Sequence, residues 1–495
     1  MRKLLLKLCY CFIVFPATTN GQGIDNLWMM GYDSHSGVPW GGMTMDFSSG
    51  SMVLIYQPRE MNFAMTSTIH CNEIGNVLFY SNGVYIANAL NDTMMNGSGL
   101  NPGYYANVVG SMGLFIPQAA LTLPLPDSES KFLLFHNTVD DSVAYSFNQY
   151  YSEIDMDLDG GLGAVVSKNI VLRSDTLMYG RLTAVKHGNG RDWWVVFHGG
   201  RNDKYYIYLV DPNGIHIHAV QQIGGDLFSA QGQVCFSPDG SKFALYDPVN
   251  DLHLMDFDRC SGIFSNHIHV AINDSAAGGG VAFSANSRML YVSSTNYLYQ
   301  LDMAATNIPS SQTTIAVWDT FYSPNPPFAT NYYLAQLAPD KKIYISSTST
   351  VLDMHLIEYP DSIGLACSFC QHCLPLPALN GTTIPNHPNY HLGALGSSIC
   401  DSLPTSIKKP SNDAEDAYTI FPNPVSDKLY VRSTAQNQSV EIIIYNSLLQ
   451  ALSIPMTLIK DGEYSEVNTS GLVPGVYFLE IVSKGEKFVK RFVKN

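Results

Sequence analysis

Short runs of alternating apolar and polar residues fill most of the chain, from about residue 24 to residue 400. Such alternation is typical of strands with one buried face, and no long stretch carries the 3.6-residue period of a helix. The composition agrees, since 29 Tyr and 23 Phe accompany 39 Gly and 26 Pro. Aromatic residues favour strands, whereas Gly and Pro favour turns. The pattern predicts an all-β protein.

One unit recurs within this region. It begins with a turn, continues as a strand rich in Tyr, Leu and Ile, and ends in a second, alternating strand. Clear copies run from Phe236 to Asp258, from Phe283 to Met303 and from Leu337 to Tyr359. In the "SPDG" turn of the first copy, proline presets φ and glycine takes the positive-φ position.

Looser copies precede these three, so that about seven units cover residues 24–400. Repeats of roughly 40–50 residues with several strands each are the signature of β-propeller blades, which bury their faces by stacking around an axis. We therefore expect a seven-bladed-type β-propeller with WD-like repeats. A long array of β-sandwiches is the alternative.

The chain changes character after the repeats. Residues 401–416 are polar, rich in Ser, Pro, Lys and Asp, and lack a strand pattern, which is typical of a linker. Residues 417–495 then carry several strands of four to eight residues, which predict a small Ig-like β-sandwich. We expect two domains joined by the linker.

The N-terminus indicates export. Arg2, Lys3 and Lys7 flank an apolar stretch from Leu8 to Phe15, and small or polar residues follow. Residues 1–21 therefore read as a signal peptide, and no other stretch is long and apolar enough for a transmembrane helix. The net charge of −15 disfavours nucleic acid as a partner, because phosphate binding needs a basic surface.

Seven cysteines follow the signal peptide, and an exported protein makes disulfides the expected state. The run "CSFCQHC" and a later cysteine provide two bridges or, as the alternative, a tetrahedral zinc site. Another pair would be Cys235 with Cys260, which leaves Cys71 as the unpaired thiol of an odd set. The disulfide candidates are Cys235, Cys260, Cys367, Cys370, Cys373 and Cys400.

Other candidate metal sites are weaker. Asp155, Asp157 and Asp159 are spaced like the first half of a calcium loop, but Val166 stands where the loop needs Glu. A strand ending in a glycine turn is the simpler interpretation. The histidine pairs in "IHIHAV" and "NHIHV" each lie on one strand face, where exposed histidines are commoner than metal ligands. We predict no cofactor, with calcium or zinc as the alternatives.

No catalytic set emerges from the sequence. The segment "KHGNGRDWWVVFHGG" offers acid and base groups beside tryptophans, as sugar sites do. A hairpin turn followed by a strand with Trp193 and Trp194 on opposite faces is the favoured interpretation. No nucleophile elbow, zinc-binding helix or phosphate-binding loop is present. We predict no catalytic residues, and an enzyme is the less favoured class.

The C-terminal module contains four ordered motifs: "FPNP", "VEIIIYNSLLQ", the run from Val467 to Ile481, and a basic ending. In these motifs it resembles the type A C-terminal sorting domain of the type IX secretion system of Bacteroidetes, the Por secretion tail. "NSLLQ" lacks the glycine that the family often has in that turn. The matching sorting-signal positions are Pro422, Asn423, Pro424, Leu472, Gly475, Val476, Tyr477 and Lys490.

This resemblance implies a route and partners. The chain would cross to the periplasm, be read by the type IX secretion machinery, lose its tail to a sortase-like protease, and be released or attached to surface lipopolysaccharide. Five stretches of the large domain also match a known group: Gly75–Asn88, Tyr150–Asn169, Leu182–Gly199, "SPDGSKFAL" and Ile384–Leu403. In these stretches it resembles uncharacterised propellers that Bacteroidetes join to such tails. We therefore expect a secreted or cell-surface binding or adhesion protein with an unknown glycan or protein ligand. A secreted enzyme acting on polysaccharide or protein in the propeller funnel, and a structural surface component, are the alternatives.

Overall fold

The computed structural model describes residues 23–140, 145–229, 231–396, 398, 400, 418–433, 441–446, 451–452, 456–457, 464–483 and 486–495. The expected signal peptide, residues 1–21, and the expected linker, residues 401–416, lie outside these ranges. The chain divides into two compact units, Met1–Leu403 and Pro404–Asn495.

The first unit consists of antiparallel sheets that follow one another along the chain. The first sheet has three strands, β1 (Leu27–Gly31), β2 (Gly42–Asp46) and β3 (Val53–Tyr56). The second has β4 (Thr68–Cys71), β5 (Val77–Ser81), β6 (Tyr85–Asn88) and β7 (Thr93–Ser98). The third has β8 (Ala120–Pro124), β9 (Lys131–His136), β10 (Ser146–Asp155) and β11 (Ala164–Leu177). The last strands of the second and third sheets also touch through the parallel pair Met95 and Ala164.

Four further sheets complete the unit. The fourth has β12 (Thr183–Lys186), β13 (Trp193–His198), β14 (Lys204–Asp211) and β15 (Gly214–Gln222). The fifth has β16 (Gln233–Phe236), β17 (Lys242–Asp247), β18 (Asp251–Asp258) and β19 (Ile263–Val270). The sixth has β20 (Gly279–Phe283), β21 (Met289–Ser294), β22 (Tyr297–Asp302) and β23 (Thr313–Val317). The seventh has β24 (Tyr332–Leu337), β25 (Ile343–Ser347), β26 (Thr350–Ile357) and β27 (Phe369–Gly381).

Helical structure is limited to short pieces in the described part of the chain. They are α1 (Tyr104–Val109) and the 3₁₀ turns Gly110–Met112, Asp159–Gly161, Pro309–Ser311 and Gly364–Cys367. The expectation of a chain without long helices is confirmed for these residues.

The turn after the first strand of the fifth, sixth and seventh sheets is built the same way each time. The side-chain oxygen of Asp239, Asn286 or Asp340 accepts a hydrogen bond from the backbone N–H two residues further on, at 2.9, 3.0 and 3.2 Å respectively. This local bond is a feature of Asp and Asn that stabilises a turn. The three repeats identified in the sequence are therefore the same structural unit.

Apolar clusters lie between consecutive sheets and close a ring. Trp193 and Trp194, on opposite faces of β13, belong to different clusters: Trp193 packs toward the third sheet and Trp194 toward the fifth. The same arrangement continues around the unit, and the last cluster packs Trp28 of the first sheet against Tyr344 of the seventh, with ring centroids 5.8 Å apart. An open array would leave these two faces exposed. The unit is therefore a seven-bladed β-propeller, as expected.

The second unit is a small β-sandwich. One sheet has the order β28 (Tyr418–Phe421), β29 (Lys428–Ser433), β33 (Tyr464–Asn468) and β32 (Met456–Thr457). The other has the order β31 (Ala451–Leu452), β30 (Glu441–Tyr445), β34 (Gly475–Ser483) and β35 (Glu486–Lys494). One apolar cluster joins the two sheets, with Leu429 and Val467 from the first and Leu479 and Phe492 from the second all fully buried.

The chain after β27 ties the propeller together. We call residues 382–396 the closing segment. Its Asn386 donates hydrogen bonds from Nδ2 to the carbonyl oxygens of Ala120 and Leu182, and from its backbone N–H to that of Ser67. These partners lie in or next to the first strands of the third, fourth and second sheets. Gln118 Nε2 donates a hydrogen bond to the side-chain oxygen Oδ1 of Asn386 at 3.1 Å.

A disulfide fixes the chain just beyond the closing segment. Cys400 pairs with Cys260, between β18 and β19, with Cα atoms 5.6 Å apart. Gly188 passes so close to this bridge that a β-carbon there would collide with both sulfur atoms. The suggested pairing of Cys235 with Cys260 is therefore wrong, because Cys260 meets a cysteine 140 residues away instead.

The "CSFCQHC" motif forms one bridge, between Cys370 and Cys373 of β27, with Cα atoms 5.8 Å apart. Cys71 and Cys367 are buried free thiols, and Cys235 is a partly buried free thiol. Because Cys400 is engaged with Cys260, the four-cysteine zinc arrangement is not formed.

Replacing Asn386 by Ala should lower the free energy of unfolding by about 2–4 kcal/mol, because two buried carbonyl groups and the Gln118 amide lose their partner. Asn273→Ala, at an exposed position, is the control and should change it by less than about 0.5 kcal/mol. Urea denaturation of both variants measures the difference. Equal midpoints would show that the axial amide does not hold the ring.

The two disulfides should differ in their contribution to stability, because the loops that they close differ in length. Their sequence separations are 140 and 3 residues. Loop-closure entropy then predicts that Cys260→Ala/Cys400→Ala loses about 3 kcal/mol more than Cys370→Ala/Cys373→Ala. Chemical denaturation under oxidising conditions tests this. A larger loss in the second double variant would contradict the prediction.

Candidate functional site

A cavity of about 160 Å³ lies on the propeller axis. The first strands of the fourth to seventh sheets form most of its wall, and the closing segment contributes the part from Asn386 to His391. These strands approach the axis because the first strands of neighbouring sheets contact one another. Polar groups of several sheets and of the closing segment are thereby brought to one place.

Side-chain amides satisfy much of the backbone around the axis. Gln118 exchanges two hydrogen bonds with the backbone of Val234, and Gln233 does the same with Ala335. An innermost strand presents one unpaired edge, so its N–H and C=O groups need such partners when water is excluded. The amides thus connect the third sheet to the fifth, and the fifth to the seventh.

The side chain of His387 differs from these amides, because its polar atoms lack hydrogen-bond partners. Its side chain lines the cavity and the residue is 9% exposed, yet neither ring nitrogen has a hydrogen-bond partner. Burial lowers the pKa of His387 to about 4, so the ring is neutral near pH 7. Trp28, whose ring lies 6.5 Å from that of His387, also lines the cavity, and its indole N–H is buried without a partner.

The charged groups of the cavity form one pair. His391 Nε2 lies 2.8 Å from a carboxylate oxygen of Asp25, and this hydrogen bond raises the pKa of His391. Asn389 is held beside them, because its Nδ2 donates to the carbonyl of Pro238 at 2.7 Å. Among the described residues that line the cavity, Asp25 is the one with a carboxylate side chain, and none is Lys or Arg.

Nucleophilic groups in the cavity are not activated. Burial raises the pKa of the Cys235 thiol to about 12, so it stays protonated. The Ser237 hydroxyl donates a hydrogen bond to Asp239 at 2.6 Å. A histidine–carboxylate pair is present, but neither of these groups is its hydrogen-bond partner.

A second, wider depression of about 430 Å³ lies between the third and fourth sheets. Lys131, Glu153 and Asp155 contribute its charged groups, and Glu153 already accepts a hydrogen bond from Ser167 at 2.9 Å. The axial cavity is the better candidate site, because it carries buried polar atoms that lack a partner.

The candidate calcium residues lie at the end of β10. The strand stops at Asp155, whose carboxylate accepts the backbone N–H of Asp157, while the Asp157 carboxylate accepts the hydroxyl of Ser130. Within the described ranges, no three His, Cys, Asp or Glu side chains gather into a group suited to a metal ion. Calcium binding by Asp155, Asp157 and Asp159 stays a prediction.

The histidine pairs bind protein groups. His216 and His269 contact Asp211 and Asp251, and His218 contacts the carbonyl of Ser261. His267 shares a hydrogen bond of 2.8 Å with His253, a residue that the sequence did not single out.

The segment "GNGRD" is the hairpin turn between β12 and β13, as expected. Asn189 and Asp192 close it through a side-chain hydrogen bond of 2.7 Å. Lys186 stacks over Trp193 at 4.1 Å, and burial lowers its pKa to about 8. These residues build the turn and do not line the axial cavity.

The predicted sorting-signal residues gather around the last strand of the second unit. Asn423 pairs with β35 through both ends of its amide, to Arg491 O at 3.1 Å and from Val493 N at 2.9 Å. Tyr477 stacks on Phe492 with centroids 5.5 Å apart. The others are Pro422 and Pro424 beside Asn423, Leu472 against the core, Gly475 and Val476 at the start of β34, and Lys490 in β35.

Comparison with known proteins identifies this second unit. Residues 419–495 match the family described as the secretion system C-terminal sorting domain. The C-terminal unit is therefore a type IX secretion sorting tail, and it implies interaction with that machinery and export to the cell surface or the medium. Among the described residues, none of the helices has the length and apolar character needed to cross a membrane. A search of curated proteins finds no match.

Solved structures similar to the chain include several propellers. The Dos1 propeller is 11% identical, with a TM-score of 0.38 and coverage of 72% of this chain and 83% of that one. The β-propeller domain of Cps50 from Myceliophteria thermophila is 10% identical, with a TM-score of 0.35 and coverage of 63% and 88%. A putative 6-phosphogluconolactonase from Bacteroides fragilis is 10% identical, with a TM-score of 0.39 and coverage of 74% and 98%. At this level of similarity the fold assignment rests on the sheets themselves.

Trp28, Asn386 and His387 are not among the site residues predicted from the sequence. The stretch "IPNHPNYH" follows the last strand and has no strand pattern, but it is dense in Asn, His and Pro. A polar, proline-containing stretch after the final repeat of a ring protein is the signal that marks it. Trp28 lies in an ordinary apolar strand and gave no signal.

Acid should destabilise the propeller through its buried histidines. Burial lowers the pKa of several of them to about 3, among them His70, which packs between Phe132 and Tyr390. Because the unfolded chain binds a proton below about pH 6.5 and the folded chain does not, stability falls as the pH drops from 6.5 toward that value.

The variant His70→Phe isolates one such group. It should reduce the slope of unfolding free energy against pH by about 1.4 kcal/mol per pH unit between pH 6 and pH 4. Asn273→Ala, at an exposed position whose side chain does not titrate, should leave the slope unchanged. Urea denaturation across this range measures both, and equal slopes for His70→Phe and the parent would contradict the assignment.

Proposed function

We propose that the chain is an exported binding protein of the bacterial surface, whose propeller holds its ligand in the axial cavity. The observation that carries this proposal is the axial cavity itself, to whose lining His387, Gln336 and the paired Asp25 and His391 contribute polar side chains. Convergent polar groups in a concave space are typical of ligand sites.

Binding is favoured over catalysis by the state of the reactive groups. In the described lining, the Asp25 carboxylate is engaged with His391, and the Cys235 thiol is protonated. Hydrolysis of polysaccharide usually needs two carboxyl groups, and hydrolysis of peptides needs an activated nucleophile, a metal or an acid pair. An adhesion or binding role needs none of these.

We further propose the later steps of the export route. A sortase-like protease removes the tail in the linker, residues 401–416, and the mature propeller is released or attached to lipopolysaccharide. The disulfide at Cys400 supports this order of events, because it anchors the propeller on the N-terminal side of the linker. Cleavage there would leave the closing segment in place. A bacterium of the Bacteroidetes is the expected source.

Deleting residues 417–495 should trap the propeller in the periplasm, because the sorting tail is the part that the export machinery reads. Immunoblotting of periplasm, cell surface and medium measures the distribution. A deletion of the signal peptide, which should leave the chain in the cytoplasm, is the control. Normal surface delivery of the tail-less chain would contradict the route.

Binding is tested by screening the protein on glycan and protein arrays, with His387→Phe as the paired variant. A ligand of the axial cavity should lose at least tenfold in affinity in this variant. Binding that survives unchanged for every ligand found would place the site elsewhere and overturn the proposal.

A further inference from the structure

The bridge between Cys370 and Cys373 lies at a bulge of strand β27. Residues 371–373 of this strand oppose a single residue of β26, His355. The backbone N–H of His372 donates a hydrogen bond to Nδ1 of His355 at 2.9 Å, which holds the bulge in place. Three strand steps of about 3.3 Å would separate the two Cα atoms by about 10 Å, whereas they lie 5.8 Å apart. The bulge therefore brings the two cysteines together.

This bridge differs from the Cys260–Cys400 bridge in exposure and in loop length. Both Cys370 and Cys373 are exposed to solvent, whereas Cys400 is buried. The sequence separation is 3 residues here and 140 residues in the other bridge, so this one restricts the unfolded chain far less. A thiolate must reach a sulfur atom to open a disulfide, and exposed disulfides are the ones that exchange. The Cys370–Cys373 bridge is therefore suited to reaction more than to stabilisation.

The thiol that opens this bridge has to come from another molecule. Among the described free thiols, Cys367 is the nearest along the chain, but it is fully buried and burial raises its pKa. Burial also raises the pKa of Cys71 and of Cys235 to about 12. All three stay protonated near neutral pH, and the thiolate is the attacking form.

The bulge is bonded to a loop that follows the last strand of the sixth sheet. We call residues 318–328 the aromatic loop. Gln371 donates a hydrogen bond from Nε2 to the carbonyl oxygen of Val317 at 3.1 Å and accepts one at Oε1 from the backbone N–H of Asp319 at 3.2 Å. Nε2 of His372 lies 2.8 Å from a carboxylate oxygen of Asp319. The two residues between the cysteines thus fix the start of the aromatic loop beside the bridge.

The aromatic loop presents apolar rings to solvent next to the bridge. The ring of Phe321 stacks on that of His372, with centroids 4.1 Å apart. Phe321, Tyr322 and Phe328 are all exposed. Exposed rings of this kind can hold apolar side chains of a polypeptide, whereas a small hydrophilic thiol gains nothing from them. The surroundings of the bridge therefore favour cysteines of another polypeptide as its reaction partners.

We propose that the Cys370–Cys373 bridge is a thiol–disulfide exchange site, which oxidises a pair of cysteines in a polypeptide segment held by the aromatic loop. This activity lies outside the axial cavity and is independent of what that cavity binds.

The exchange proceeds in two steps. A thiolate of the partner attacks one sulfur of the bridge, so that a mixed disulfide forms and the other sulfur leaves as a thiolate. The second thiol of the partner, as its thiolate, then attacks the mixed disulfide and releases the first cysteine of the bridge. The partner loses two electrons and two protons and gains a disulfide. The protein gains both as two thiols, so one bridge oxidises one pair of cysteines without a further oxidant.

The test uses the full-length oxidised protein and a reduced synthetic peptide with two cysteines flanked by Leu and Phe, in the absence of oxygen. Acid quenching, alkylation and mass spectrometry follow the thiols of both molecules. Cys370 and Cys373 should become thiols at least tenfold faster than Cys260 and Cys400, with one peptide disulfide formed per bridge opened. No peptide oxidation, or equal rates for the two bridges, would overturn the proposal.

A double variant confirms the site. Cys370→Ala/Cys373→Ala should abolish oxidation of the peptide, whereas Cys367→Ala, which removes a buried thiol three residues away, should leave the rate unchanged. Thermal unfolding shows whether each variant is folded, and the position of the mixed disulfide in the parent protein decides the matter if the double variant is not. Oxidation that persists in the folded double variant, or a mixed disulfide at Cys260 or Cys400, would overturn the proposal.

The nature of the partner is tested by comparing the peptide with glutathione at equal thiol concentration. Tyr322→Ser/Phe328→Ser should slow reaction with the peptide at least fivefold and leave reaction with glutathione unchanged. Val220→Ser, at an exposed apolar position of β15, is the matched control and should alter neither rate. Faster reaction with glutathione than with the peptide, or peptide rates that are the same in the double variant and the parent, would overturn a polypeptide as the partner.

Discussion

The amide of Asn386 is the contact on which the propeller depends. A ring of sheets must join its last blade to its first, and an apolar cluster around Trp28 and Tyr344 does so here. The chain after β27 adds polar contacts to further blades. Asn386 reaches the backbone of three sheets and receives a fourth hydrogen bond from Gln118, which itself holds the fifth sheet. Each innermost strand would otherwise present unpaired backbone groups to a dry axis, which is costly.

The same requirement explains the candidate site. Where the amides of Asn386, Gln118 and Gln233 reach the strand edges, the axis is filled and satisfied. Where the closing segment moves away toward Asp25, it leaves a cavity whose polar atoms are not all paired. The structural contacts and the candidate site are thus two parts of one polar axis, and the Cys260–Cys400 bridge anchors the chain just beyond the closing segment.

Most of the architecture could be predicted from the sequence, because its signals are local. The Asp or Asn of each repeated turn bonds two residues ahead, and strand alternation places Trp193 and Trp194 on opposite faces without reference to the rest of the chain. The sorting tail could also be predicted from the sequence, since Asn423 and Tyr477 belong to short motifs that pack against the final strand. The predicted pairing of Cys235 with Cys260 was wrong, because a ring brings cysteines of distant blades together and nearness in sequence then does not predict which of them pair.

What the sequence by itself determined is the repeat, the class of fold and the sorting tail, since turn chemistry, strand period and short motifs act over a few residues. Only the tertiary structure decided which cysteine Cys260 meets, which strands Asn386 joins, and which buried nitrogens stay unpaired. Gln118 and Asn386 are 268 positions apart, and Ala120 and Asn386 are 266 positions apart. Contacts over such separations follow from closing the ring, and no local pattern of residues encodes them.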